Sequence, residues 1–188
     1  MIYSRLNGLP VNVRIQAKHY HSTTNLPPKT SYDIFDGHRK VGYVHLTDLH
    51  NGCYVDFIKN EYPELYKGFG AFADQLEVEH CLKRRLFGNF EIRSCAGLNS
   101  HALHYLRGKR FTEVLDPPSI KRLTEKFESK NVNEIVDDII ARTPKGEMYD
   151  TRAIGKVRMY MPQNMIERNI ELSKKSPVLT DVVHTYLA

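Results

Sequence analysis

The chain has 188 residues, of which 41% are hydrophobic and 26% charged, and its formal net charge is +5. These values are typical of a globular protein with room for one domain and a sizeable core. No apolar run is long enough to cross a bilayer, and the N-terminus lacks the pattern of a signal peptide. We therefore expect a cytoplasmic protein without a membrane partner.

Neither the charge nor the cysteines point to a specific partner. Residues 1–116 carry 15 Lys and Arg against 12 Asp and Glu, and residues 117–188 carry 12 against 10. A small positive excess suits an anionic cofactor, but without a basic tail or an aromatic-basic motif the sequence argues against nucleic acid. Cys53, Cys81 and Cys95 fit reduced thiols better than a disulfide framework or a metal site.

The first part of the chain predicts strands. Alternating residues predict a strand over 10–18, and a Ser-, Thr- and Pro-rich loop is expected over 19–30. Three more strands are predicted over 31–36, 40–48 and 52–58. Since turn-like connectors separate these three strands, we expect an antiparallel meander.

Helices and strands alternate after the meander. Apolar residues at helical spacing predict a helix over 69–86, ended by Gly88 in a left-handed cap. A strand follows over 89–95, and Asn99 is expected to cap a second helix over about 100–107.

The last part of the chain adds helices to the pattern. The remaining predicted elements are a strand, two amphipathic helices, a late strand and a final helix, over 110–115, 119–129, 132–142, 156–161 and 162–175. The order predicts a single α+β domain, in which residues 117–155 form a helical insertion before the late strand.

Two glycines, Gly68 and Gly70, open the long helix, with Lys67 beside them. A helix N-terminus presents unpaired amides and the positive end of the helix dipole, and glycine lets a phosphate approach the backbone closely. The segment matches neither the Walker nor the Rossmann pattern. From these residues alone, the pair is either a phosphate-binding loop or a simple turn.

The order of elements and this glycine pair together resemble the GNAT family of N-acetyltransferases. In that family a strand is followed by an Arg/Gln-x-x-Gly-x-Gly/Ala loop at a helix start. In one register, "LYKGFG" matches both glycines but has Leu65 at the basic position. In the other, "KGFGAF" matches Lys67 and Gly70 but has Phe72 at the last position.

A second motif carries the resemblance further along the chain. Asn99 matches the asparagine of the family's Asn-x-x-Ala block, and Phe111 falls on the family's phenylalanine. Arg110 replaces a glycine, and Leu106 stands where the family often has a tyrosine. The resemblance covers roughly residues 8–116 and implies a GNAT-like mixed sheet with a strand-loop-helix cofactor motif.

The resemblance implies an N-acetyltransferase that passes an acetyl group from acetyl-CoA, its co-substrate, directly to an unidentified amine. Backbone amides of the loop would bind the pyrophosphate, and amides at the end of the preceding strand would polarise the thioester carbonyl. The cofactor-binding residues implied are Phe57, Ile58, Lys67, Gly68, Phe69, Gly70, Ala71 and Asn99.

Asp56 is the candidate catalytic base, as the one carboxylate within its predicted strand. Strict alternation would place it on one face with Tyr54 and Ile58, opposite Phe57. His45, on the neighbouring strand, is a competing base because its usual pKa lies near neutrality. The alternative interpretation is a surface aspartate without a catalytic role.

Tyr105 is the candidate catalytic acid, since a phenol can donate a proton to a thiolate. It lies one residue before the family's position, and it could instead pack in the core. His101 and His104 have a spacing that could bind a metal, but no third ligand is near in sequence, so no metal site is expected.

A second hypothesis is a protein that has the same fold but no catalytic activity. The substituted residues of both motifs would then mark a catalytically inactive GNAT-fold binding or regulatory protein. The insertion could cover the cleft or build a homodimer. In either case its apolar residues must be buried, and these are Ile135, Val136, Ile139 and Ile140.

Overall fold

The computed structural model describes residues 1–21, 26–86, 89–97, 99–128 and 131–187. The strands are β1 (Tyr3–Ser4), β2 (Val13–Tyr20), β3 (Lys29–Asp36), β4 (Arg39–Leu49), β5 (Gly52–Asn60), β6 (Tyr66–Lys67), β7 (Glu91–Ala96), β8 (Arg110–Val114), β9 (Val157–Tyr160) and β10 (Val182–Leu187). The helices are α1 (Phe69–Lys83), α2 (His101–Arg107), α3 (Pro117–Phe127), α4 (Val132–Arg142) and α5 (Gln163–Lys175). This mixed α+β architecture, with mostly antiparallel pairing, confirms the predicted class.

The chain divides into two compact units. The first unit comprises Met1–Ile92 and Ile166–Ala188, and the second comprises Arg93–Met165. Across the described ranges, no helix has the length and apolar character needed to cross a membrane.

In the first unit, the strands run in the order β10-β2-β3-β4-β5. Strands β2 to β5 form an antiparallel meander, as predicted. Strands β2 and β3 extend into both ends of the expected loop 19–30, so the connection between them is shorter than predicted. The final strand β10, which was not predicted, pairs in parallel with β2, and the short β1 pairs antiparallel with β6.

Helix α1 covers one face of this sheet. The ring of Phe69, at the helix start, lies over Gly42 of β4, where no side chain intervenes. Further along, the buried His80 lies between the sheet residues Tyr32 and Asp48, with its Nδ1 2.8 Å from the Tyr32 hydroxyl and its Nε2 2.7 Å from an Asp48 oxygen. Packing at the start and polar contacts near the end therefore fix the helix on the sheet.

The end of α1 differs from the prediction. The helix ends at Lys83, three residues before the expected end, and Arg85 adopts a positive φ of 62°. Gly88, the predicted cap, lies outside the described residues. Charged residues in the central turns of α1, such as Glu77 and Glu79, are buried, which the sequence pattern did not predict.

The C-terminal segment is tied back to α1 within the same unit. The carboxylate of Glu79 accepts hydrogen bonds from the backbone amides of Val178 and Leu179 at 2.7–3.0 Å, and from the Gln75 amide at 3.0 Å. Gln75 also donates to the carbonyl oxygen of Ser176 at 2.7 Å. These bonds hold the chain between α5 and β10.

The second unit has its own core. Its strands run in the order β7-β9-β8, all antiparallel, so the predicted late strand lies between its two partners. In α4, Ile135 and Val136 are buried, and Ile139 and Ile140 pack against the same cluster. The apolar face of the insertion is therefore covered by the second unit itself, with Phe111 and Met159 among its neighbours.

Candidate functional site

The glycine pair lies in a strand-turn-helix segment of the first unit. After β5, the amides of Leu65 and Tyr66 both donate to the carbonyl oxygen of Tyr62 at 3.0 Å, which makes a tight turn. The Asn60 side chain closes this turn by donating to the Tyr66 carbonyl oxygen at 3.2 Å. The chain then passes through β6 and enters α1 at Phe69, as the sequence predicted to the residue.

Gly68 is required here for two reasons. Its φ of 82° lies in the left-handed region, which other residues rarely adopt. A Cβ atom at this position would also lie 2.8 Å from the carbonyl oxygen of Met1, because the N-terminal segment runs beside β6. The turn alone therefore accounts for Gly68, and this account does not depend on a phosphate.

The N-terminus of α1 has the properties that an anion site needs. No side chain caps the helix in the part of the chain that the structure describes, and its first turn holds no acidic residue. Lys67, Gly68 and Ala71 are exposed, and Gly70 is half-buried, whereas Phe69 is buried beneath them. The residues present thus fit a pyrophosphate through backbone amides and one cation.

An extra residue in β5 changes which side chains share a face. Against β4, Val55 lies opposite Leu46 and Phe57 lies opposite His45, so Asp56 is the extra residue of a β-bulge. The expectation that Phe57 points away from Asp56 is therefore wrong. The side chain of Phe57 is 65% exposed, whereas Val55 is buried.

The bulge brings Asp56 and its competitor His45 to one face of the sheet. We call this side of β2–β5, which faces away from α1, the polar sheet face; it carries Lys18, Asp33, His45, Thr47 and Asp56. The Thr47 hydroxyl donates to Asp56 at 2.6 Å, and the Lys29 ammonium lies 3.9 Å from the same oxygen. Asp56 is thus held in place by a hydroxyl and a cation.

His45 is set in a ring cluster beside Asp56. Its imidazole stacks on Tyr43 at 4.6 Å between ring centres and meets Phe57 edge-on at 6.2 Å. Partial burial lowers the pKa of His45 below the usual 6.5, with Lys40 acting in the same direction and Asp33 and Asp56 opposing it. A neutral imidazole near pH 7 can accept a proton, so His45 is as well suited to act as the base as Asp56.

Lowered histidine pKa values predict that the protein loses stability in mild acid. Burial also lowers the pKa of His19, with its neighbour His184 as the next cause. The folded state favours the neutral form of both imidazoles. Their contribution to the free energy of unfolding is therefore complete above pH 6.5 and is lost as the pH falls through the folded-state pKa values.

Thermal melts from about pH 7.5 to 5 should show a falling Tm. His45→Gln should flatten this fall, and a variant with the same pH profile as the parent would contradict the assignment.

The remaining candidates, Tyr105 and Asn99, lie in the second unit. Tyr105 stacks on Phe111 at 6.4 Å, and the Arg110 guanidinium lies 4.5 Å from its ring centre. The tyrosine thus packs against the core cluster, which was the alternative to a role as the acid.

Asn99 does not cap α2, so that prediction is wrong. The N-cap residue is Ser100, and the Asn99 side chain instead accepts a hydrogen bond from the Thr151 amide at 2.9 Å. The helix does end at Gly108 in the left-handed conformation, as predicted.

The helical histidine at position 101 has a structural environment. His101 is fully buried, with Nδ1 3.1 Å from the Thr151 hydroxyl and Nε2 2.8 Å from the Gly155 carbonyl oxygen. Within the described ranges, no group of three or more His, Cys, Asp or Glu side chains could hold a metal ion.

Comparison with known proteins returns likenesses of structure only. No protein-family model matches the chain, and no curated protein matches it in sequence. An acetyltransferase from Bacillus subtilis in complex with CoA is 14% identical, over 79% of this chain and 98% of its own, with a TM-score of 0.45. An IAA acetyltransferase from Bacillus cereus is also 14% identical, over 71% and 77%, with a TM-score of 0.37.

A third similar structure has another activity in its name. A malonyl-CoA decarboxylase from Rhodopseudomonas palustris is 14% identical, over 85% of this chain and 52% of its own, with a TM-score of 0.40. At such identities and TM-scores these likenesses carry no weight for the function of this chain.

Proposed function

We propose that this protein is an acetyl-CoA-dependent N-acetyltransferase that transfers the acetyl group directly to an amine. One observation carries the proposal: the exposed N-terminus of α1, which no side chain caps in the described residues, is entered through Gly68 and flanked by Lys67. It follows the bulged strand β5 by way of a tight turn and β6. The family motif resembled by this segment binds the pyrophosphate of acetyl-CoA on such amides. The resemblance and the geometry therefore support the same ligand.

The chain's own residues provide part of the chemistry. Acetyl-CoA would supply an activated acyl group as a thioester. The amides of Phe69, Gly70 and Ala71 lie in the first turn of α1, where the helix dipole favours a bound phosphate. On the polar sheet face, Asp56 or neutral His45 would take the proton that the amine must lose.

Gly70→Asp tests the proposed phosphate site. A carboxylate in the first turn would repel the pyrophosphate and occupy its place, so acetyl-CoA should bind at least about 10-fold more weakly, equivalent to about 1.4 kcal/mol. Isothermal titration calorimetry of the parent and the variant measures this change.

Two further variants control for charge and for the loss of glycine. Gly37→Asp adds the same charge in the exposed turn between β3 and β4, where aspartate tolerates a positive φ. Gly70→Ala removes the glycine without adding charge and should bind more tightly than Gly70→Asp. Absence of binding by a folded parent, or equal loss in Gly37→Asp, would refute the phosphate site.

The contacts of Tyr105 favour a second candidate function. The Tyr105 ring packs against Phe111 and Arg110, and Leu106 stands where the family often has a tyrosine. These motif residues therefore offer no evident acid for the leaving thiolate. A protein that binds acetyl-CoA without transferring the acetyl group would fit these residues. Calorimetric binding together with no release of free CoA in the presence of a panel of amines would identify it.

A further inference from the structure

The polar sheet face carries a group of aromatic rings that the sequence disperses over four strands. The pairing registers place six ring side chains on this face, namely Tyr20, Phe35, Tyr43, His45, Tyr54 and Phe57. Tyr43, His45 and Phe57 form a continuous row, with ring centres 4.6 Å and 6.2 Å apart. Phe57 and Tyr20 are 65% and 42% exposed, so these large rings face solvent rather than a core.

Cations accompany the rings on the same face. The registers also place five cationic side chains on this face, namely Arg14, Lys18, Lys29, Lys40 and Lys59. The same face carries two carboxylates, those of Asp33 and Asp56. The excess is three positive charges, or two when Glu61, which pairs with Lys59 just beyond β5, is included. This excess is about half of the +5 carried by the whole chain.

The ion pairs leave the lysines accessible. Lys18 and Lys40 share the single carboxylate of Asp33, at 3.0 Å and 2.6 Å. The side chains of Lys18, Lys29, Lys40 and Lys59 are 41–55% exposed, whereas Asp33 is only 7% exposed. A ligand approaching this face therefore meets ammonium groups and the exposed ring of Phe57 before it meets the Asp33 carboxylate.

We propose that the polar sheet face binds single-stranded nucleic acid. Unpaired bases stack on aromatic rings and phosphates pair with lysines, and this chemistry requires the two side-chain types that the face presents together. Stacking on these rings requires bases that are unpaired and splayed out, which a duplex does not present, so we expect a single strand. The sequence argued against such a partner because no contiguous run of residues holds the pattern. The surface forms only when β2–β5 pair.

Binding of a short uridine-rich RNA and the matching thymidine DNA, followed by fluorescence anisotropy at about 50 mM salt, tests this proposal. The readout is independent of acetyl transfer, so it stands or falls separately from the proposed enzyme. Phe57→Ala should weaken binding by about 5-fold to 100-fold, the range typical for loss of one stacked base. The double variant Lys29→Gln, Lys59→Gln should reduce the slope of log K against log salt by about 1.4.

Matched variants in the second unit serve as controls. Tyr160→Ala removes a 39% exposed ring from β9, and Lys121→Gln removes an 81% exposed cation from α3. Both should bind like the parent, provided that thermal melts show all variants folded. The proposal is overturned if the parent shows no saturable binding, if Phe57→Ala binds no worse than Tyr160→Ala, or if poly-glutamate competes as well as RNA. The last result would identify a site for negative charge alone.

Discussion

Glu79→Ala is expected to lower the free energy of unfolding by about 3–5 kcal/mol, the largest effect of any substitution considered for this protein. The Glu79 carboxylate is buried and accepts the amides of Val178 and Leu179 at 2.7–3.0 Å. Alanine would leave both amides without their acceptor and would release the chain that leads to β10. Urea denaturation monitored by circular dichroism measures the change.

Two glutamate variants separate this explanation from a general loss of charge. Glu79→Gln keeps one acceptor oxygen and should cost about half as much. Glu171→Ala removes an exposed carboxylate that pairs with Lys174 at 2.6 Å, and it should leave the stability nearly unchanged. A Glu79→Ala protein as stable as Glu171→Ala would show that the buried bonds to residues 178 and 179 contribute nothing.

Gly42→Ala is expected to cost about 2–4 kcal/mol, through overpacking between β4 and α1. A Cβ atom at Gly42 would lie 2.1 Å from the carbonyl oxygen of Lys59 and 2.6 Å from the Phe69 ring. Since Phe69 begins α1, the same clash would displace the proposed phosphate site. Thermal and urea denaturation should therefore show a less stable protein, and acetyl-CoA should bind it more weakly.

Gly97→Ala provides the matched control, because a Cβ atom there would meet nothing within 4 Å. This variant should remain within about 0.5 kcal/mol of the parent. Adding Phe69→Leu to Gly42→Ala should restore only part of the lost stability, since the backbone oxygen of Lys59 cannot move as easily as a ring. Full restoration would assign the whole effect to the ring.

Much of the fold was predictable from local patterns. Alternation located β3, β4 and β5, and the 3.6-residue period located the start of α1 at Phe69. The strands that were missed are β1 and β6, of two residues each, and β10. The strand β10 did carry a signal, because "VVHTYL" is rich in β-branched and aromatic residues.

The candidate site was less predictable because it depends on how strands pair and on contacts between residues that are distant in the chain. Nothing in the sequence marks Asp56 as an extra residue, since a bulge exists only relative to a partner strand. Asn99 was predicted as a cap from its position, but its actual partner, Thr151, is 52 residues away in the chain. The roles of Asp56, Tyr105 and the loop residues remain predictions, as does the cytoplasmic location.

The parallel pairing of β10 with β2 sets an order for folding during synthesis. The ribosome releases all of Arg93–Met165 before it releases Val182–Leu187, the strand that completes the first unit. The second unit, whose residues are contiguous, can thus acquire its core while the edge of β2 is still bare. An exposed strand edge readily pairs with other chains. Until β10 is released, the edge of β2 is therefore open to pairing with another chain.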